Sequence, residues 1–308
     1  MMLLYSKVNL KNIIYYSRLI KSYDHGFYMQ YLTNFRDVLD SYDFFICDIW
    51  GVVRSENGNV FEGVLELLSE IQQKNKKLVF LSNVPVRKEN CKEILREIGI
   101  TNDYYTDVHT SGEETRLLLH EKTLDFGKKY FVIDDTRKLL DGLDFEESNL
   151  DDADFVLGSG IKHRFDLSFY DEIIAKIIER KIPYICPNPD IVVVTGDGER
   201  LFCPGAIAEK YEKANGEVFY VGKPYHYVYE RIFKNFNVKD KSRVLIIGDS
   251  LNTDIRGAEK LQIDSVLVVR SGIHSQDVVR NGSIEMNLLN NLCDKLSVFP
   301  KYVIDYFI

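Results

Sequence analysis

Seven short apolar runs, each closing on polar residues, restrict the fold of this chain more than any other feature. They are "DFFICD", "KLVFLSN", "YFVID", "DFVLGSG", "IPYICPNPD", "RVLIIGDS" and "SVLVVRSG". Such runs, rich in β-branched and aromatic residues, predict strands buried on both faces. Between them the apolar spacing changes to three and four. Val64, Leu65, Leu67, Leu68 and Ile71 form one helical stripe, and Tyr225, Val228, Tyr229, Ile232, Phe233 and Phe236 form another. Each stripe fits the core-facing side of a helix. Strands alternating with helices predict an α/β fold, a mostly parallel sheet with helices on both faces. "VVRSENGNVF" reads as a small hairpin turning at Asn57-Gly58, placed as a flap just after Asp48.

A chain of 308 residues can bury a large core. It contains no repeat and no Gly/Ser linker, so a second domain is expected to be inserted within the first. The formal charge of −8 comes with no basic block, which argues against nucleic acid or an anionic membrane as partner. An anionic substrate then needs a local positive centre. The five cysteines, Cys47, Cys91, Cys186, Cys203 and Cys293, form no CxxC pair, which suits reduced thiols in the cytoplasm. Cys47 precedes Asp48 in a strand and so points to the opposite face, into the core. In residues 1–28 the only charges before Asp24 are Lys7, Lys11, Arg18 and Lys21. No run there nears the roughly 20 apolar residues of a spanning helix. A peripheral helix, or a true start at Met29, is favoured over a transit-like segment.

Four strand ends carry the polar residues that could converge. "CDIWGV" supplies Asp48, "FLSNVP" Ser82 and Asn83, "YVGKP" Lys223, and "IIGDSLNTD" Asp249 and Asp254. Ligands of open α/β sheets bind at the carboxyl ends of the strands. Three carboxylates in one pocket repel one another unless a cation neutralises them. Oxygen-only ligands suit Mg²⁺, which can share an oxygen with a phosphate. Lys223 can neutralise a phosphoryl oxygen, the Ser82 hydroxyl can bind another, and a neighbouring carboxylate can attack phosphorus. Each motif taken alone is a common helix cap or turn. The ordered set is what is specific.

That set resembles the haloacid dehalogenase (HAD) superfamily, and within it subfamily IIA, the NagD-like phosphatases. The resemblance covers roughly Ser41 to Gly272. It implies Asp48 as nucleophile, Ser82 as phosphate-binding hydroxyl, Lys223 as the motif lysine, and Asp249 and Asp254 as the acids of the last motif. "TSGEETRLLL" from Thr110 resembles the junction leading into the subfamily's cap, "NPD" (Asn188 to Asp190) its cap tripeptide, and "CPGAIAEKYE" before "VGKP" the return to the core. The implied architecture is a Rossmann-like core with an inserted α/β cap of type C2. The expected division is an N-terminal extension at 1–28, core at 29–118, cap at 119–202 and core again at 203–308. The implied chemistry is Mg²⁺-dependent hydrolysis of a small phosphorylated metabolite through a phospho-aspartate, and relatives often form homodimers. Asn83, Asn188 and Asp190 are the expected substrate contacts. Arg137, Arg164, Arg200, His226 and Asn252 are more readily read as surface, packing or loop residues.

One position departs from the pattern. Phosphatases of the superfamily usually place Asp two residues after the nucleophile, as the group that protonates the leaving oxygen. Here it is Trp50, whose indole cannot act as a general acid or base near neutral pH. The resemblance assigns this position a backbone-carbonyl contact to Mg²⁺, which Trp50 retains. Good leaving groups, such as aryl or acyl phosphates, are therefore the expected substrates. Two other readings stand beside this one: a non-catalytic protein that binds a phosphorylated ligand or a partner, and a metal-independent dehalogenase. The retained acids argue against both.

Overall fold

The computed structural model describes residues 19–21, 28–55, 58–134, 138–195 and 198–308. The readings of residues 1–18, 22–27, Asn57 and Arg137 lie outside these. The first layer is an eight-stranded sheet. Its strands are β1 (Leu19–Lys21), β2 (Tyr28–Leu32), β3 (Phe44–Cys47), β4 (Lys77–Ser82), β5 (Asp107–Thr110), β13 (Val244–Gly248), β14 (Asp264–Val268) and β17 (Tyr302–Ile304). They lie in the order β1-β2-β17-β14-β13-β3-β4-β5, parallel except for β1 against β2.

The continuous apolar runs are explained by helices on both faces. Along β3, Phe45 and Cys47 join the cluster holding Val64, Leu67, Leu68 and Ile71 of helix Val64–Gln73. Phe44 and Ile46 point the other way, against Val228, Tyr229, Ile232 and Phe233 of helix His226–Phe236. Both helical stripes read from the sequence are thus core-facing. Truncating a buried leucine such as Leu67 to Ala costs about 2–5 kcal/mol.

The second layer is a five-stranded, all-parallel sheet in the order β12-β9-β8-β6-β7. It comprises β6 (Lys129–Val132), β7 (Glu146–Glu147), β8 (Phe155–Leu157), β9 (Tyr184–Cys186) and β12 (Val218–Tyr220). This sheet extends past residue 202, the expected end of the insertion. Ile207, Ala208 and Tyr211 of helix Pro204–Lys213 pack into its core, and β12 is an edge strand. The return helix therefore belongs to the second layer by packing, a relationship that its spacing alone did not reveal. A short hairpin, β10 (Val192–Val194) with β11 (Arg200–Phe202), projects from this layer. A further pair, β15 (Val279–Arg280) with β16 (Ser283–Ile284), completes the strands.

All seven apolar runs of the sequence form parallel strands. β12 is the strand expected before "YVGKP", and β5 ends at Thr110, where the junction into the cap was expected, whereas β2 and β17 were not anticipated from the sequence. The flap after Asp48 is present as an Arg54–Val60 antiparallel bridge, with Gly58 N–H donating to Ser55 O at 3.0 Å. Among the described residues, no helix is long and apolar enough to cross a membrane.

Candidate active site

The topology brings three strand ends side by side. β3 lies between β13 and β4, with Cys47 in register with Ile247 on one side and Phe80 on the other. Asp48, Asp249 and Ser82 therefore emerge as neighbours at the carboxyl edge. Lys223 arrives from the loop after β12 and Asp254 from the turn Leu251–Ile255 that follows β13. Lys223 Nζ is 2.7 Å from Asp48 Oδ1 and 2.8 Å from Asp254 Oδ1. Carboxylate oxygens of Asp48, Asp249 and Asp254 lie within 4.8 Å of one another.

Close packing of backbone makes these approaches possible. A Cβ on Gly248 would overlap the Asp254 carboxylate, and one on Gly51, at φ +74°, would overlap Asp249 Oδ2. Any side chain at either position would push an acid out of the cluster.

Electrostatics then test whether the group suits a cation. Three ionised carboxylates facing one ammonium leave a surplus of two negative charges in a buried site. Without a cation, burial, partly offset by Lys223 and reinforced by Asp254, pushes Asp48 up to about 7. Burial and the two neighbouring acids push Asp249 well above the usual carboxylate range. Burial alone would lower Lys223, but Asp254, Asp48 and Asp190 overrule it and hold the ammonium well above its ordinary value. A divalent cation offsets both the burial and the mutual repulsion that push the acids upward, so the residues fit one.

The surrounding bonds fix the cluster. Asn83 is buried, accepts the Lys223 N–H at 2.7 Å, and donates to Lys223 O at 3.0 Å and Asp190 Oδ1 at 2.9 Å. Both its side-chain oxygen and its side-chain nitrogen are therefore bonded to protein. Asn188 accepts the Asp190 N–H at 3.1 Å, an Asx turn that aims Asp190 at Asn83. Ser82 Oγ accepts the Val84 N–H at 3.2 Å. Asp254, only 1% exposed, grips Lys223 from behind and does not line the cavity.

In front of the cluster lies a cavity of about 890 Å³ between the two layers. Asp48, Trp50, Ser82, Asn83, Asn188, Asp190, Lys223 and Asp249 all line it, and Asp254 joins them from behind Lys223. Trp50 presents a partly buried indole, with the Arg54 guanidinium 5.3 Å from its ring centre. Arg164 and Asn252 also line the cavity, whereas His226 is exposed at the start of its helix and does not. Not anticipated was the segment after β14. Ile273 N–H donates to Asp249 Oδ2 at 2.9 Å, and Ser271 Oγ donates to Gly51 O at 2.7 Å. The only sequence signal for it was the polar tail of "SVLVVRSG".

Residues 45–146 match the family of haloacid dehalogenase-like hydrolases, and residues 220–295 match the HAD-hydrolase-like family. The chain belongs to the HAD superfamily, in its NagD-like IIA branch. A 4-nitrophenylphosphatase of Schizosaccharomyces pombe is 22% identical over 80% of this chain and 89% of its own length. Human chronophin is 30% identical over 36% of this chain and 37% of its own. A haloacid dehalogenase-like hydrolase from Brucella suis superposes with a TM-score of 0.76 at 28% identity, over 90% of this chain and all of that one. NagD of Escherichia coli K-12 shares the fold at a TM-score of 0.60 and 22% identity, over 86% of this chain and 97% of its own. The second layer is therefore the C2 cap of a HAD-IIA protein, and the relatives of this chain include proteins named as phosphatases of phosphate esters.

Proposed function

We propose that this HAD-IIA chain is a Mg²⁺-dependent phosphohydrolase that acts through a phospho-aspartate on a small phosphorylated metabolite in the cytoplasm, with a preference for good leaving groups. The observation that carries the reading is the placement of Lys223 Nζ within 2.8 Å of carboxylate oxygens of both Asp48 and Asp254, with Asp249 beside them. Asp48 and Asp249, with the Trp50 backbone carbonyl, would hold the cation, and Asp254 would complete the group from behind. A bound cation would draw charge from the phosphoryl oxygens and keep the acids ionised.

Within that frame, Lys223 and the Ser82 hydroxyl bind the non-bridging oxygens. Asp48 Oδ1 is engaged by Lys223, which leaves Oδ2 to attack phosphorus. The new Oδ2–P bond forms as the bond to the leaving oxygen breaks, and that oxygen departs with the electron pair. Water then attacks the phosphoryl group, releasing inorganic phosphate and restoring the Asp48 carboxylate. Trp50 can neither lend a proton to the leaving oxygen in the first step nor take one from the water in the second. A phenolate or an acyl group leaves without one, whereas an alkoxide does not, and positioned proton transfer is worth about 10²–10⁴-fold. The S. pombe relative is called a 4-nitrophenylphosphatase, which names an aryl ester of the favoured kind.

The test is Mg²⁺-dependent phosphate release from 4-nitrophenyl phosphate and from an alkyl phosphate such as glycerol phosphate. The expected result is a clear excess on the aryl ester. Equal rates on the two would remove the leaving-group preference. No Mg²⁺-dependent release from any ester, with beryllofluoride still binding in the presence of Mg²⁺, would instead identify a protein that binds phosphorylated ligands without turning them over.

A further inference from the structure

The cap hairpin and the acidic cluster touch one short segment from opposite sides. Toward the cluster, Ile273 N–H donates to Asp249 Oδ2, and His274 Nε2 accepts the Leu251 N–H at 3.1 Å. Leu251 opens the turn that carries Asp254. Toward the cap, Arg200 of β11 donates from Nη2 to both Asp277 oxygens, at 2.8 and 2.9 Å. Gln276 Nε2 donates to Gly198 O at 2.7 Å in the same hairpin.

His274 connects the two sides. Since Nε2 accepts from Leu251, the ring proton sits on Nδ1, 3.6 Å from Asp277 Oδ2. The imidazole is 8% exposed, and burial favours its neutral form. Arg200 therefore orients Asp277, Asp277 orients the His274 ring, and the ring holds the first amide of the turn bearing Asp254.

We infer that His274 is a positioning residue through which docking of the β10–β11 hairpin, by way of Arg200 and Asp277, sets the geometry of the 249–254 loop and so its affinity for a divalent cation. The inference rests on reading Asp48, Asp249 and Asp254 as the cation site. Undocking the hairpin takes Arg200 from Asp277, the carboxylate is then free to turn from the Nδ1 proton, and the hold of the ring on Leu251 loosens. Groups that orient ligands from behind typically change metal affinity by about 10–100-fold when removed. Exposed ion pairs such as Arg200–Asp277 contribute less, a change of roughly a few-fold.

Trp50 is the only tryptophan in the sequence and lines the cavity, so its fluorescence reports on the site directly. Mg²⁺ titrated into the full chain gives the affinity without recourse to turnover, with calorimetry as the parallel readout. The expected result for His274→Ala is Mg²⁺ binding about tenfold weaker, and for Arg200→Ala a few-fold weaker. The double variant should be no weaker than His274→Ala alone. His274→Gln, whose side-chain oxygen can still accept the Leu251 N–H, should keep much of the affinity yet no longer respond to Arg200→Ala. Arg243→Ala removes an exposed pair with Asp43 at the opposite end of β13 and should leave affinity unchanged. Unchanged affinity in Arg200→Ala, or additive losses in the double variant, would overturn the link. If the wild-type chain binds no Mg²⁺, the cation site and the link fall together.

Discussion

The core wall of the cavity and its cap wall are built from different kinds of contact. On the core side, Lys223, Asn83 and Asp254 are buried, and each is held by several bonds to protein. On the cap side, Arg164 and Glu209 are partly exposed, Glu212 is exposed, and Tyr220 donates its hydroxyl to Glu212 at 3.1 Å near solvent. Buried charges in contact cannot be altered singly without leaving a partner uncompensated, whereas exposed ones hand their bonds to water. The core wall is accordingly suited to chemistry that does not vary. The cap wall can change with the substrate at little cost in stability.

Substitutions on the core wall should have the largest effects. Asp48→Asn removes the attacking carboxylate while keeping its shape, and Mg²⁺-dependent release of 4-nitrophenolate should fall by at least about 10³-fold. Lys223→Met leaves two carboxylates without their ammonium and should lower stability by about 3–5 kcal/mol, measured by urea unfolding in EDTA. Added Mg²⁺ should restore part of that loss, because the cation supplies the missing positive charge. If Lys223→Met is as stable as the wild type, the contrast between the walls is wrong.

Trp50 stands at the edge of the core wall and should respond in the opposite sense. Trp50→Asp restores a group able to carry a proton, so turnover of alkyl phosphates should rise by about 10²-fold, with a smaller change for aryl phosphates. A uniform change on both ester types would show that the indole acts through shape.

Proton linkage gives a smaller effect. Asp48 titrates at 3.8 when unconstrained and at about 7 in the fold without a cation. A raised folded value means that the contribution of the neutral acid is fully present below the unfolded value and is lost as pH rises through the folded one. Asp249 moves in the same direction. In EDTA the melting temperature should therefore fall from about pH 4 to about pH 7, and Mg²⁺ should raise it more at the higher pH, where the acids are ionised. The smallest effect belongs to the cap wall. Glu212→Gln should leave the melting temperature almost unchanged and shift KM by no more than a few-fold.

Much of this was legible along the chain because it depends on local order. A strand buried on both faces must be apolar throughout, as Phe44 to Cys47 is, and a helix lying on it must repeat at three and four, as Val64 to Ile71 does. The motif residues closing β3, β4 and β13 were readable for the same reason, since a parallel sheet exposes its polar ends along one edge. The strand Tyr302–Ile304, between β2 and β14, is only three residues long, too short for alternation to be seen. "YVGKP" marked the end of β12 but not its place at the edge of the second sheet, and so not the membership of helix Pro204–Lys213 in the cap.

By itself, then, the amino-acid order determined the layered α/β plan, the insertion and the residue types meeting at the edge, all consequences of periodicity and of side-chain chemistry. Only the folded arrangement decided that Asn83 clamps the backbone of Lys223, that Asp254 stands behind the cavity, and that His274 holds the loop between the acids. Those are contacts between residues up to 140 positions apart. Their partners follow from which strand neighbours which and from where a missing Cβ lets two chains approach, and neither is encoded in any local pattern.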